Sequence, residues 1–291
     1  VTGESTRVLV RAYRKLLQRR KKRLIVAMDW TETNGLHTLA LVACFGSRSV
    51  PLLWVTMKDK YKKQTQTEKT MLKTFAGWLP KKAKVVILAD RGFAKTDLAR
   101  HCDSLELDYL IHIKPDVYVN CQRYTGLLRK YEILPGRAHV LRKVSFRKKD
   151  PVALQVVVKA KAQTTWFLIT SLSGSAEQLT RLYSKRMSIE ETFRDCKSVR
   201  SGFSLSSTQI QTAEYFDRLL LAVSLALILL CGLGLKAKAI YPPSYWSSNN
   251  RKNEQSVLSI ARRMLHQAQI PPEQAVKALK QEFDSAYQNW G

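Results

Sequence analysis

The chain has 291 residues, 45% of them hydrophobic and 25% charged, enough to bury a sizeable core and too apolar for a disordered tail. Lysine and arginine total 49 against 23 acids, a formal charge of +26, and a phosphate backbone is the simplest polyanionic partner for such an excess. Five scattered cysteines without a C-x-x-C spacing and five histidines without an H-E-x-x-H or H-x-H cluster argue against a zinc ribbon or a disulfide scaffold, which leaves carboxylates to hold any metal.

Residues Val8 to Arg23 read as a basic helix ending in the run QRRKKR, and no apolar segment follows that would make it a secretory signal. LIVAMDW, Leu24 to Trp30, is an unbroken apolar run of the kind that forms a strand buried on both faces, and Asp29 closes it. A buried carboxylate needs a partner, although an Asp that merely caps the following turn fits equally well. HTLALVACF and SVPLLWVTM, joined by turn residues, read as a hairpin within His37 to Met57. Thr65 to Leu79 has helical spacing and stops at Pro80. AKVVILADRGF is a second buried strand with Asp90 at its end, Leu98 to Leu107 suits a helix, and YLIHIK a further strand.

The order strand, strand, strand, helix, strand, helix, strand resembles the ribonuclease-H-like fold, in which the first and fourth strands lie side by side. Asp29 and Asp90 would then meet although 61 positions separate them. From Asp116 to Ser171 the chain is rich in short basic and apolar alternations, including HVLRKVSF, VALQVVVKA and TTWFLITS, which predict an inserted antiparallel β-strand region. Trp166 in its last strand is either packed in the core or a platform for a nucleic-acid base.

YSKRMSIEETFRDCK follows, Tyr183 to Lys197. Wound as one helix, it sets Tyr183, Arg186, Glu190, Arg194 and Lys197 within an arc of about 80°, beside an apolar stripe of Leu182, Ile189, Phe193 and Cys196. The phase selects Glu190 over Glu191 as the functional carboxylate, while the plainer alternative is a surface helix stitched by i,i+4 ion pairs. After a linker, Leu219 to Leu235 is apolar throughout; it falls short of the ~20 residues that span a bilayer and suits the central helix of a soluble core. Two helices are predicted in the tail, Glu254 to Gln269 and Pro272 to Tyr287.

The fold class expected is therefore α/β: a ribonuclease-H-like catalytic core with an inserted antiparallel β-strand region and a helical C-terminal region. The divisions are a basic N-terminal helix and linker (1–23), the first part of the core (24–115), the insertion (116–175), the rest of the core with the Tyr-Arg-Glu-Lys helix (176–240) and the C-terminal helices (241–291). Two strand-end aspartates and a helix glutamate in a basic protein suit two-metal phosphoryl transfer, which needs several acids to converge on divalent ions.

The blocks MDWTE around Asp29, ADRGF around Asp90 and the Y-x2-R-x3-E-x6-K pattern of Tyr183, Arg186, Glu190 and Lys197 resemble the DDE transposases of bacterial insertion sequences. The branch is the IS-four family, which includes the Tn-ten and Tn-five transposases, and the resemblance runs over about residues 24–240. It implies a cut-and-paste transposase in which Asp29, Asp90 and Glu190 bind two Mg²⁺, with Mn²⁺ as a substitute. The implied reactions are strand nicking, hairpin formation and opening, and strand transfer. Tyr183, Arg186, Arg194 and Lys197 would bind DNA, and Trp166 would support a base flipped from the hairpin. Double-stranded DNA, both transposon ends and target, would be the substrate, with a homodimer pairing two ends, no membrane, and a bacterial cytoplasmic, nucleoid-associated location. Members carry a sizeable N-terminal domain for end recognition, whereas 28 residues precede Asp29 here, so a catalytic-core fragment without specific end binding is expected. A ribonuclease-H-like nuclease or resolvase, and a binding-only regulator, remain the alternatives.

Overall fold

The computed structural model describes residues 23–286 except 46–47, 60, 62, 81–82, 94–95, 147–149, 160–164, 200–201, 247–254 and 266–269. The helix expected over Val8 to Arg23 lies, but for its last residue, outside the described residues.

The molecule is a mixed α/β protein built on one ten-stranded sheet with the order β3-β2-β1-β4-β5-β10-β9-β8-β6-β7. Strands β1 (Leu24–Thr33), β2 (Leu36–Phe45) and β3 (Arg48–Met57) form an antiparallel meander. Pro51 sits inside β3, where it removes a ladder donor; the strand tolerates this because it is the sheet edge, and the β2–β3 register slips next to it, between Leu41 and Val42. Helix α1 (Gln64–Ala76) carries the chain to β4 (Val85–Ala89), which runs parallel to β1, and α2 (Thr96–Ser104) carries it to β5 (Asp108–His112), parallel to β4. Every residue of β4 is buried, as its unbroken VVILA run requires of a central parallel strand.

The remaining strands extend this same sheet. β6 (Tyr118–Cys121), β7 (Tyr124–Leu127), β8 (Ala138–Phe146), β9 (Asp150–Lys159) and β10 (Trp166–Thr170) are antiparallel to their neighbours, and β10 joins them to β5.

Helix α3 (Ala176–Ser184) opens with a capping box: the Ser175 side chain accepts from the Gln178 amide and the Gln178 side chain accepts from that of Ser175. The single helix expected from Tyr183 to Lys197 is instead two, because α3 ends at Ser184 and α4 spans Met187–Lys197, with Lys185 and Arg186 between them. Both intervening residues keep right-handed helical dihedrals, so no glycine or proline marks the break. Helix α5 (Ala213–Ile240) is 28 residues long and carries the expected apolar run in its middle, with charged residues toward both ends. By length and composition it is able to cross a membrane, yet it packs on β3 and against α6 (Val257–Met264) and α7 (Pro272–Ala286). Gly232 and Gly234 permit that packing: a Cβ there would lie 2.1 Å from the Ala275 carbonyl oxygen and 1.9 Å from that of Val257.

Candidate functional site

Asp29 does not close its strand as expected, because β1 runs on to Thr33 through its pairing with β2; it stands instead where the parallel pairing of β1 with β4 stops. Met28 of β1 pairs with Ala89 of β4, and Ala89 pairs with Ile111 of β5. One step on, Asp29, Asp90 and His112 occupy matched positions at the same edge of three parallel strands. This is where open α/β sheets place their sites, beyond the carboxyl ends of the strands.

Local contacts aim each carboxylate. Asp29 Oδ1 accepts from the Trp30 amide at 2.8 Å, and its Oδ2 accepts from Arg186 Nη1 at 3.2 Å. The Trp30 indole donates to Glu68 Oε1, a carboxylate 1% exposed that also accepts from Gln64. Asp90 Oδ1 accepts from the Gly92 amide at 2.7 Å in an Asx turn, and a Cβ at 92 would come within 2.9 Å of that same oxygen and push the carboxylate aside.

The third carboxylate arrives on α4. Helix α4 is pinned to the start of β3 by buried hydrogen bonds from Ser49 to Thr192 and by Arg48 Nε donating to Asp195 Oδ2 at 2.7 Å. This anchorage turns Glu190 toward the sheet edge. Arg186, 8% exposed, donates from Nη2 to Glu190 at 2.5 Å and from Nη1 to Asp29, so one guanidinium bridges the first-strand aspartate and the helix glutamate. Its buried Nε–H has no hydrogen-bond partner among the described residues.

Burial, the neighbouring charge of Asp90 and that of Glu190 push the Asp29 carboxyl up from 3.8 to about 7, against the opposing pull of Arg186 and the Trp30 amide. Asp29 is thus a buried acid with two further carboxylates near enough to act on its charge. All donors are carboxylate oxygens, the set that hard divalent cations such as Mg²⁺ and Mn²⁺ prefer, so Asp29, Asp90 and Glu190 fit that cofactor chemically. Among the described residues no three His, Cys, Asp or Glu side chains form a ready-made cage. The Arg186 guanidinium stands between two of the acids, and ion entry would require it to swing away.

Beside the acids lies a cleft of about 580 Å³, bordered by Asp90, Arg91, His112, Trp166, Tyr183 and Arg186. Tyr183, 2% exposed, packs edge-on to Trp166 with centroids 5.0 Å apart and to His112 at 6.1 Å, and the Arg186 guanidinium lies 5.8 Å from its ring. Burial raises the Tyr183 phenol to about 12, so it stays neutral. Burial, with the charges of Arg91 and Arg186, lowers His112 to about 4, which leaves a neutral imidazole at physiological pH.

The other two expected DNA contacts sit elsewhere. Arg194 is exposed and donates to both carboxylate oxygens of Glu191, at 2.8 and 2.9 Å. Lys197 borders a small apolar cavity of about 40 Å³ with Thr31, Phe193 and Leu205; burial lowers its pKa and Glu32 counteracts that shift. Neither residue lines the 580 Å³ cleft. His112, Arg91, Glu68 and the Ser49–Thr192 anchor were not singled out from the sequence. Of these only His112 carried a signal, as the residue in YLIHIK that parallel pairing would align with Asp90.

No curated protein matches this chain. Among solved structures, the Argonaute of Marinitoga piezophila in complex with a 5′-OH guide RNA aligns at 14% identity over 58% of this chain and 26% of its own length, with a TM-score of 0.26. The chain thus spans about a quarter of that structure's length. The family model described as the transposase DDE domain matches residues 14–227, a span that contains Asp29, Asp90, Glu190 and the whole cleft. By that match over most of its length, the chain belongs to the transposase DDE domain family.

Proposed function

We propose that this chain is a cut-and-paste DNA transposase of the IS-four type, with a ribonuclease-H-like catalytic core. On this reading it nicks transposon ends, closes and reopens a hairpin, and joins the freed 3′-hydroxyl to target DNA in a bacterial cytoplasm. The observation that carries the reading is the alignment of Asp29 and Asp90 on neighbouring parallel strands, with Glu190 tied to Asp29 through Arg186 at the mouth of a cleft.

Asp29, Asp90 and Glu190 would hold two divalent ions, which when bound supply Lewis-acid stabilisation of the attacking and leaving oxygens. The chain's own groups do the rest. Arg186, once released from the acids, presents a guanidinium fork with its unpartnered Nε–H to the scissile phosphate and offsets the charge that builds there. Neutral His112 and Tyr183 offer hydrogen bonds in the cleft without competing for cations. Trp166, half-buried and steadied by Tyr183, presents an aromatic surface on which an extrahelical base can stack, offsetting the few kcal/mol that unstacking costs. Arg194 and Lys197, away from the cleft, would act on flanking DNA or on packing. Pairing two ends would make the working unit a homodimer. The packing of α5 on β3 and on the tail helices supports reading it as part of this fold, although only a third of its apolar window is buried.

The test is product analysis with duplex carrying the element's ends and a target plasmid, in Mg²⁺ and in Mn²⁺. A transposase yields hairpin ends and joined products. Nicks alone, without hairpins or joining, would instead indicate a nuclease or resolvase.

A further inference from the structure

The reaction cleft does not end at Trp166. Thr165, on its border, also borders a second groove of about 650 Å³ lined by Tyr131, Glu132, Leu134, Arg137 and His139. The two hollows thus adjoin at Thr165, and the second is lined by the segment from Tyr131 to His139 that leads into β8. Two rings of its lining, Tyr131 and His139, are braced against each other and against Tyr124 behind them. Tyr131 and His139 share a 2.9 Å hydrogen bond between the phenol and Nδ1, with rings perpendicular at 6.0 Å, and Tyr124 packs edge-on to Tyr131 at 5.0 Å. The Tyr124 hydroxyl is fixed in turn on the Leu127 carbonyl at 2.6 Å. Leu134, 71% exposed, forms an apolar rim.

The charge of this region is one-sided. Residues 117–165 contain eleven lysines and arginines and two acids, Glu132 and Asp150. Among the described residues of the lining Glu132 is the one acid and Arg137 the one lysine or arginine; Lys159 holds its ammonium on the Gly136 carbonyl at 2.7 Å. Braced aromatic rings within a cationic track are what a single nucleic-acid strand requires, because every base has a face to stack and every phosphate a charge to neutralise. A duplex, whose bases are already stacked, would leave the rings unused.

We propose that the Tyr131–His139 groove binds a single strand of DNA as it leaves the reaction cleft, stacking a base on the aromatic pair and seating the backbone on Arg137 and Lys159. This rests on the reading of the cleft as a DNA-processing site, and it adds a surface that holds an unpaired strand after or during strand opening. In the tautomer whose Nδ1 accepts the Tyr131 proton, His139 would have its Nε2–H left to donate to a phosphate or base edge.

The experiment is fluorescence anisotropy in metal-free buffer with two fluorescein-labelled probes of mixed sequence. One is a blunt duplex of about 20 base pairs, and the other is the same duplex with a single-stranded extension of about 10 nucleotides. The wild type should bind the extended probe about tenfold more tightly. Tyr131→Ala with His139→Ala should abolish that advantage and leave blunt-duplex affinity unchanged. Arg137→Ala, at an exposed site, should reduce it in part. Tyr131→Phe, which keeps the ring and loses the hydroxyl bond, should retain it within about twofold. An extension that adds no affinity to the wild type would overturn the proposal, as would equal losses on both probes or an unchanged advantage in the double variant. A protein that gains affinity from the extension yet cuts no DNA would uphold the groove while refuting the catalytic reading.

Discussion

Removing the charge of Asp29 should stabilise the metal-free protein at alkaline pH and do nothing at acid pH. The carboxyl is raised to about 7 by burial and by the acids beside it, and its ordinary value is 3.8. Below that ordinary value, folded and unfolded chains both hold the proton, and the fold keeps its full stability. Between 3.8 and about 7 the unfolded chain releases the proton first, so stability falls as pH rises, and above about 7 the loss is complete. The interval corresponds to about 4 kcal/mol as an upper bound. Asparagine mimics the protonated acid but gives Arg186 a weaker partner, so a gain of about 2 kcal/mol at pH 8 is the working expectation, equivalent to several degrees in Tm. Denaturation of wild type and Asp29→Asn in chelator at pH 4 and pH 8 measures this. A variant no more stable than wild type at pH 8 would refute the view that the acids form a repulsive cluster awaiting a cation.

Three further perturbations follow from the same geometry. Arg186→Ala removes the bridge between Asp29 and Glu190; the metal-free protein should lose about 3 kcal/mol, while the stabilisation gained from Mg²⁺, read by thermal shift, should grow because the competing guanidinium is gone. Gly92→Ala puts a methyl 2.9 Å from Asp90 Oδ1 and should displace that carboxylate; cleavage should fall at least tenfold while the denaturation midpoint moves little, since only a side-chain end must shift. Trp166→Ala should permit the first nick and slow hairpin formation, resolved by denaturing gels over time, whereas hairpins at the normal rate would reduce the Trp to packing.

Much of the fold can be read from the chain because buried parallel strands need unbroken apolar runs. LIVAM and VVILA declare themselves, and an acid directly after each run has few explanations. What cannot be read depends on pairing and on helix ends. The helix break at Lys185–Arg186 has ordinary helical dihedrals and no breaker residue to announce it, and the partner that each long side chain of α4 takes is not written in its phase. In the structure Arg194 turns to Glu191, and Lys197 turns toward the strand that bears Glu32. His112 needed the β4–β5 register before its alignment with Asp90 was visible, and Glu68 needed Trp30 to explain a carboxylate 1% exposed. The strands from Tyr118 to Thr170 were legible as strands, while their continuation of the same sheet through β10 depends on long-range partners that local pattern does not name.

The central claim is that Asp29, Asp90 and Glu190 act together as the cation-holding acids of phosphoryl transfer. Its most direct test is divalent-metal-dependent cleavage of labelled end-bearing duplex by wild type and Glu190→Gln in parallel, with DNA affinity measured on the same preparations. The variant should bind DNA as the wild type does and yield no product in Mg²⁺, because it loses an ion ligand and little cationic surface. Metal-dependent products from Glu190→Gln at a rate near that of the wild type would contradict the claim.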